Sequence, residues 1–233
     1  MRIKGIQKTT LLDFPDRLAS TAFTPGCNFK CGFCYNSGIV NDDEELGEVP
    51  VQEYLDFLAL RKKVLEGVVV SGGEPTLQKD LPEFLEKVKA IGYLVKLDTN
   101  GTNPEMLEEL IEKRLVDYVA MDIKGPLENY ERICGVLAPL DKIRKSIELL
   151  KNSKIEYEFR TTLLPEFHKE EDFEKIAELL EGAKIYYLQQ FVPVDTLIDS
   201  SLRNARKFSL ADFEKFKKVL EKKVKKVEFR NLD

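Results

Sequence analysis

The chain has 233 residues, 43% of them hydrophobic and 33% charged, with a formal net charge of -5. That length and composition fit one globular domain with a sizeable core; the charge excludes a global field for nucleic acid, and the lack of any apolar run near ~18 residues excludes a membrane span. Four cysteines are too few for a disulfide scaffold, and the opening Met-Arg-Ile-Lys-Gly-Ile-Gln-Lys has no apolar run behind its charges, so a cytoplasmic protein with metal-binding thiols is expected.

Residues 1–17 read as an irregular leader with a short extended piece and a turn at Asp13-Phe-Pro-Asp16. A first strand over 18–24 then delivers the chain into a cysteine loop. The spacing of Val51, Tyr54, Leu55 and Leu58 predicts a helix over 51–65, and Val68-Val69-Val70 a buried strand that ends at Ser71-Gly-Gly-Glu-Pro75. Asp80 with Glu83 reads as an N-cap with a capping-box acid, opening a helix that Gly92 closes. Strands over 93–97 and 118–123 flank a helix begun by Asn103 and Pro104. A helix over 140–151, a strand over 155–163, a helix over 170–180 and a strand over 185–191 follow. Residues 193–207 carry no recognisable pattern; a helix capped by Ser209 and a strand over 227–229 end the chain.

Six strand-then-helix units imply a parallel sheet with right-handed crossovers. Six are too few for an eight-stranded barrel, so the expected fold is α/β, a partial (β/α)6 barrel with a short leader, a core over 18–191 and a helix-strand extension over 192–233, all in one domain. The polar motifs follow the carboxyl ends of successive strands, the face on which parallel α/β folds collect their sites.

Cys27, Cys31 and Cys34 stand at C-x3-C-x2-C, close enough for one loop to wrap a single inorganic core. A closed zinc site or a closed cubane takes four ligands, so three thiols leave a corner free. The alternatives are a zinc knuckle completed by Cys134 or His168, both distant in sequence, and three thiols packed as small apolar groups.

Gly72 and Gly73 let backbone approach a ligand while Glu74 offers an acceptor, although the same residues make a turn into a helix. Asp98 and Asn100 are placed to hydrogen-bond a ribose or to cap their own loop. Asp122 and Lys124, two apart on one strand, share a face and suit a bound zwitterion or an internal ion pair. Arg160 either grips a ligand carboxylate or pairs with Glu156 or Glu158. Gln189 and Gln190 close the sixth strand with polar groups. His168 reads as a surface or capping residue and Cys134 as a packed thiol.

The cysteine spacing, with Phe33 in the slot of C-x3-C-x-aromatic-C, resembles the radical S-adenosylmethionine (SAM) enzymes. With the Asp13-Phe-Pro15 leader, Ser-Gly-Gly-Glu-Pro, Asp-Thr-Asn-Gly and Met-Asp-Ile-Lys-Gly, the chain is most similar to the glycyl-radical-enzyme activating enzymes, and among these to the kind that serves anaerobic ribonucleoside-triphosphate reductase. The resemblance implies a [4Fe-4S] cluster on Cys27, Cys31 and Cys34 whose fourth iron is chelated by SAM. SAM is then cleaved to methionine and a 5'-deoxyadenosyl radical that takes a hydrogen atom from a partner's glycine. It further implies that Gly72-Gly73-Glu74 holds the methionine amino group and that Asp98, Asp122 and Lys124 lie around SAM; Phe33, Tyr35, Asn100, Arg160 and Gln190 are further candidate cofactor contacts, and a flavodoxin- or ferredoxin-type donor is expected to supply the electron. No catalytic side chain beyond the cluster and SAM is expected.

Two departures stand out: Tyr35 occupies a position where members commonly have histidine, and Gln-Gln-Phe at 189–191 stands near where pyruvate formate-lyase activases place one. Residues 35–66 leave little room for an inserted ferredoxin-like domain. The competing readings are a radical SAM enzyme acting on a small molecule and a non-catalytic iron-sulfur or zinc module closed by Cys134.

Overall fold

A computed structural model describes residues 1–232; Asp233, the last residue of the expected extension, lies outside them. Eight strands form one sheet in simple linear order: β1 (Gly5–Thr10), β2 (Ala19–Thr24), β3 (Gly67–Gly72), β4 (Leu94–Thr99), β5 (Tyr118–Asp122), β6 (Glu156–Leu163), β7 (Tyr186–Gln190) and β8 (Val227–Arg230). Strands β2 to β8 run parallel, and β2 to β7 are the six strands of the expected partial barrel. The sheet is open, not a closed barrel.

The leader is more regular than the sequence suggests. Gly5 and Ile6 pair with Phe23 and Ala22, so β1 is a true antiparallel edge strand. After it, Phe14 folds under the amino end of the sheet and packs with Ala19 and Val69, closing the bottom of the half-barrel with apolar surface.

The helices are α1 (Ser37–Val40), α2 (Val51–Arg61), α3 (Leu81–Ile91), α4 (Pro104–Glu112), α5 (Tyr130–Cys134), α6 (Leu140–Asn152), α7 (Asp172–Leu179) and α8 (Leu210–Leu220). Helix α2 stops at Arg61 rather than at 65, because the Val64 and Leu65 amides both fold back onto the Arg61 carbonyl before the chain enters β3. The expected Asp80 cap is not made by its side chain. Asn103 does cap α4, accepting the Met106 N–H, and Ser209 and Asp212 form a reciprocal capping box on α8.

The apolar core lies between the helices and the outer face of the sheet, with Leu58, Val70, Val88, Val95, Leu110, Phe159 and Phe213 all fully or almost fully buried. The inner face is polar. Glu158 on β6 is wholly buried and accepts two hydrogen bonds from Arg230 (2.6 and 2.8 Å) and one from the Tyr118 hydroxyl (2.7 Å). The Arg230 guanidinium also stacks on Tyr187, 3.6 Å from its ring centre. The carboxy-terminal strand is thereby fastened to β6 across β7. Among the described residues, no helix is long and apolar enough to cross a membrane.

Candidate active site

A cavity of about 280 Å³ opens at the carboxyl ends of the parallel strands. Cys27, Cys31 and Cys34 all line it; Cys134 does not. The cysteine loop follows β2 directly and its polar backbone is tied down on every side. The Gly26 N–H donates to Ile39 (2.9 Å), the Cys34 N–H to Cys31 (3.0 Å), and the Lys30 N–H to the Cys134 carbonyl (2.7 Å).

The outside of the loop is covered by the segment the sequence left without a role. The Asp199 N–H donates to the Gly32 carbonyl (2.9 Å), and the Thr196 hydroxyl to the Tyr35 carbonyl (2.7 Å). The strap packs closely on Gly32, where an added Cβ would lie 3.0 Å from Asp199 and 3.4 Å from Leu202. Tyr35, half-exposed at the rim, stacks on Phe191 with ring centres 5.8 Å apart, and its hydroxyl accepts the Val192 N–H. Residues 192–202 thus form a strap over the loop. Nothing in the sequence pattern announces it except two buried leucines, Leu197 and Leu202, in an otherwise polar stretch.

The thiols differ in character. Burial pushes Cys27 up to about 12 and raises Cys34 as well. Cys31 moves the other way, held below the ordinary thiol range by the neighbouring Cys134 thiol against the effect of burial. Cys134 is fully buried, as expected of a packed thiol, and acts as a protonated neighbour of the loop.

The Gly-Gly-Glu turn is built for close approach. Gly72 has φ 112°, and a Cβ on it would sit 2.5 Å from the Thr24 nitrogen. A Cβ on Gly73 would sit 2.5 Å from the Gly26 carbonyl carbon and nearer still to its oxygen. The Gly73 N–H donates to Thr24 and the Glu74 N–H to Gly26, both at 2.8 Å, so this turn is stitched to the start of the cysteine loop. Glu74 is 1% exposed. One of its oxygens accepts from Thr76 N–H (3.1 Å) and from the Thr76 and Thr99 hydroxyls (2.6 and 2.8 Å); the other accepts only the Asn100 N–H (2.6 Å). That second oxygen retains capacity for one more donor. Burial raises the Glu74 pKa against the opposing pull of these donors.

Across the cavity stands a ladder of alternating charge. Asp122 accepts from Arg160 (2.6 Å) and Lys124 (2.9 Å); Asp98 pairs with Arg160 (3.3 Å) and with Lys96, and accepts the Ser71 hydroxyl (2.9 Å). Lys96 stands behind this ladder, and the charged side chains that line the cavity itself are Lys124 and Arg160 with Glu74, Asp98 and Asp122. Burial opposes ionisation of both aspartates, but Arg160 and the neighbouring lysines outweigh it and hold their pKa values below the ordinary range. The same carboxylates keep Lys124 and Arg160 charged in spite of burial.

Of the candidate residues, Phe33, Tyr35, Gly72, Gly73, Glu74, Asp98, Asn100, Asp122, Lys124 and Arg160 all line the cavity. Three expectations need correction. Gln190 turns to the outer face of β7, where its amide reaches the Phe191 carbonyl, and Gln189 lines the cavity instead. Arg160 pairs with Asp98 and Asp122, not with Glu156 or Glu158, because Asp122 lies directly opposite it on β5. His168 is 1% exposed rather than on the surface. Of the two roles open to Asn100, it takes the cap of its own loop, its oxygen accepting the Thr102 N–H and hydroxyl (3.0 and 2.7 Å), and its amide also donates to Asn28 in the cysteine loop (2.9 Å).

The sequence profile of the Radical SAM superfamily matches residues 21–180, a span that holds the three loop thiols, the Gly-Gly-Glu turn and the charged ladder. The chain belongs to that superfamily. Radical SAM enzymes use a [4Fe-4S] cluster and SAM, and this chain is one of those enzymes. It is 37% identical over 201 residues to a protein of Methanocaldococcus jannaschii provisionally named a glycyl-radical enzyme activating enzyme, covering 83% of this chain and 81% of the relative. A second such protein of the same organism is 31% identical over 170 residues, covering 72% of this chain and 64% of the relative. Among solved structures, Streptococcus suis SuiB bound to S-adenosylmethionine superposes with a TM-score of 0.68 at 14% identity, over 91% of this chain and 52% of that one. The last likeness is one of fold.

Proposed function

We propose that this radical SAM chain, acting as one unit, activates a glycyl radical enzyme. Anaerobic ribonucleoside-triphosphate reductase is the first candidate partner, and a flavodoxin- or ferredoxin-type protein the electron donor. The likeness to the first Methanocaldococcus jannaschii relative, along most of both chains, supports the activating role, and the division of the cysteines supports the open cluster beneath it: Cys27, Cys31 and Cys34 line the cavity while Cys134 does not. The donor set fits a [4Fe-4S] cluster with one iron left to the cofactor. The free thiols throughout the chain suit a reducing, cytoplasmic setting.

When bound, the cluster and SAM supply one-electron cleavage of a carbon-sulfur bond and abstraction of a hydrogen atom from the partner's glycine. The chain's own residues bind and orient. Cys27, Cys31 and Cys34 hold the cluster, and the strap over residues 32–35 keeps water from its outer side. Gly72 and Gly73 admit the methionine end of SAM, whose ammonium takes the remaining capacity of the Glu74 carboxylate. Lys124 and Arg160, the cations that line the cavity, answer the methionine carboxylate. Phe33 and Tyr35 supply flat apolar surface at the rim.

The test is anaerobic reconstitution with iron and sulfide, reduction, and addition of SAM with the glycyl enzyme of the same genome. The proposal expects 5'-deoxyadenosine and a glycyl-radical signal in the electron paramagnetic resonance spectrum. Product without a glycyl radical on any such enzyme would redirect the assignment to a small-molecule substrate.

A further inference from the structure

Lys124 is held in an unusual way for a residue just beyond a strand. Its N–H donates to the Tyr130 hydroxyl (3.1 Å) and its carbonyl accepts from His168 Nε2 (2.8 Å). Both clamps are side chains, one from the start of α5 and one from the connection between β6 and α7, and both are buried. Because a carbonyl only accepts, Nε2 must carry the proton. In the neutral ring Nδ1 is then an acceptor and takes the Leu164 N–H at 3.2 Å, while the Leu164 carbonyl, also 3.2 Å from Nδ1, is bonded instead by the His168 main-chain N–H (2.9 Å). The chain's one histidine thus bridges its own turn and the main chain of the cavity's cation, without lining the cavity itself.

The clamp reaches the cysteine loop by a second route. Phe167, next to His168, packs on Phe33 with ring centres 5.7 Å apart, and the Lys124 ammonium lies 5.8 Å from the Phe33 ring. The direction of the Lys124 side chain is set by Asp122 at 2.9 Å, but its origin is set by Tyr130 and His168. A free lysine on a loop would have several rotamers to lose on meeting a ligand. Here the main chain that carries it is fixed beforehand.

We infer that His168 is a positioning residue that acts through Lys124, fixing the ammonium on the cationic side of the cavity so that SAM affinity depends on a side chain outside the cavity. The inference rests on the reading of Lys124 as part of the SAM site.

The experiment is a double-mutant cycle on SAM binding to the anaerobically reconstituted protein, read by equilibrium dialysis. His168→Asn keeps an acceptor for the Leu164 N–H but is too short to reach the Lys124 carbonyl. Loss of that hydrogen bond should weaken SAM binding about 3- to 10-fold in the wild-type background. In the Lys124→Met background the same substitution should change nothing, because there is no ammonium left to position. His168→Gln, whose amide reaches the Nε2 position, should recover most of the affinity. No loss in H168N, or the same loss in both backgrounds, would overturn the inference. If H168N does not fold, Tyr130→Phe enters the same cycle with the same two outcomes. A wild-type protein that carries its cluster and binds no SAM would instead overturn the reading of the cavity, which additive effects in a SAM-binding protein would leave standing.

Discussion

Gly73→Ala should uncouple the cofactor site from the fold, because the added methyl lands where two backbones already touch. For the Gly26 carbonyl carbon alone to retreat from 2.5 to 3.0 Å, the turn and the cysteine loop must part by at least 0.5 Å, and the carbonyl oxygen requires more. Parting breaks the Gly73-to-Thr24 and Glu74-to-Gly26 hydrogen bonds, both 2.8 Å. Two such bonds at about 1 kcal/mol each, with overpacking of about 1–3 kcal/mol, give a cost of about 3–5 kcal/mol. For a chain of this size that corresponds to a fall in melting temperature of about 6–20 °C. The strain sits where the loop leaves β2, so reconstituted iron and SAM affinity should fall with it. Gly182→Ala is the control: its φ of 83° carries the ordinary left-handed penalty, but no atom lies within 4 Å of the new methyl and the cavity is remote. Melting curves, iron content and SAM binding of the two variants decide the matter. A G73A protein with wild-type iron and SAM affinity would refute the close approach of turn and loop on which the site is built.

Cys134→Ser should retain wild-type iron and sulfide, whereas serine at Cys27, Cys31 or Cys34 should each abolish the cluster absorbance; loss of iron in C134S would instead support a closed four-thiol site. Arg230→Ala leaves the fully buried Glu158 without its cation and should cost about 3–5 kcal/mol in chemical denaturation, while leaving reconstituted iron unchanged. The pH dependence follows from Asp98 and Asp122, whose folded pKa values lie below those of the unfolded chain. Their contribution is present above the unfolded value near ~3.9 and is lost as pH falls through the folded values. The melting temperature should therefore decline below about pH 4, and Asp122→Asn should flatten that decline; an unchanged profile in D122N would remove Asp122 from the ladder.

The strand and helix succession was open to reading because parallel strands buried on both faces carry near-continuous apolar runs, as in Val68-Val69-Val70, where Val68 and Val70 join the helix-side core and Val69 packs on Phe14, and because the turns between them hold glycine, proline and capping residues. The same regularity puts the cysteine loop, the Gly-Gly-Glu turn, Asp98 and Asp122 on one end of the sheet from the order of elements alone. Three features lay beyond it for physical reasons. Gln189 and Gln190 differ by one position on a strand, and side chains one residue apart point to opposite faces, so composition cannot choose between them. The partners of Arg160 follow from register, since Asp122 is opposite it on β5, while the nearer glutamate Glu158 is claimed by Arg230, 72 residues further on. His168, between Phe167 and Lys169, has the neighbours of a surface residue. Its decisive contact is with a main-chain carbonyl 44 residues away, which leaves no trace in side-chain type at either end.

The central claim is that three loop thiolates hold a cluster with one iron reserved for SAM. The most direct measurement is the electron paramagnetic resonance spectrum of the reduced, reconstituted protein with and without SAM, followed by quantification of 5'-deoxyadenosine in the same sample. The account predicts a spectrum altered by SAM and product formed in proportion to reduced cluster. An identical spectrum in both samples and no 5'-deoxyadenosine, from protein with full iron content, would contradict it.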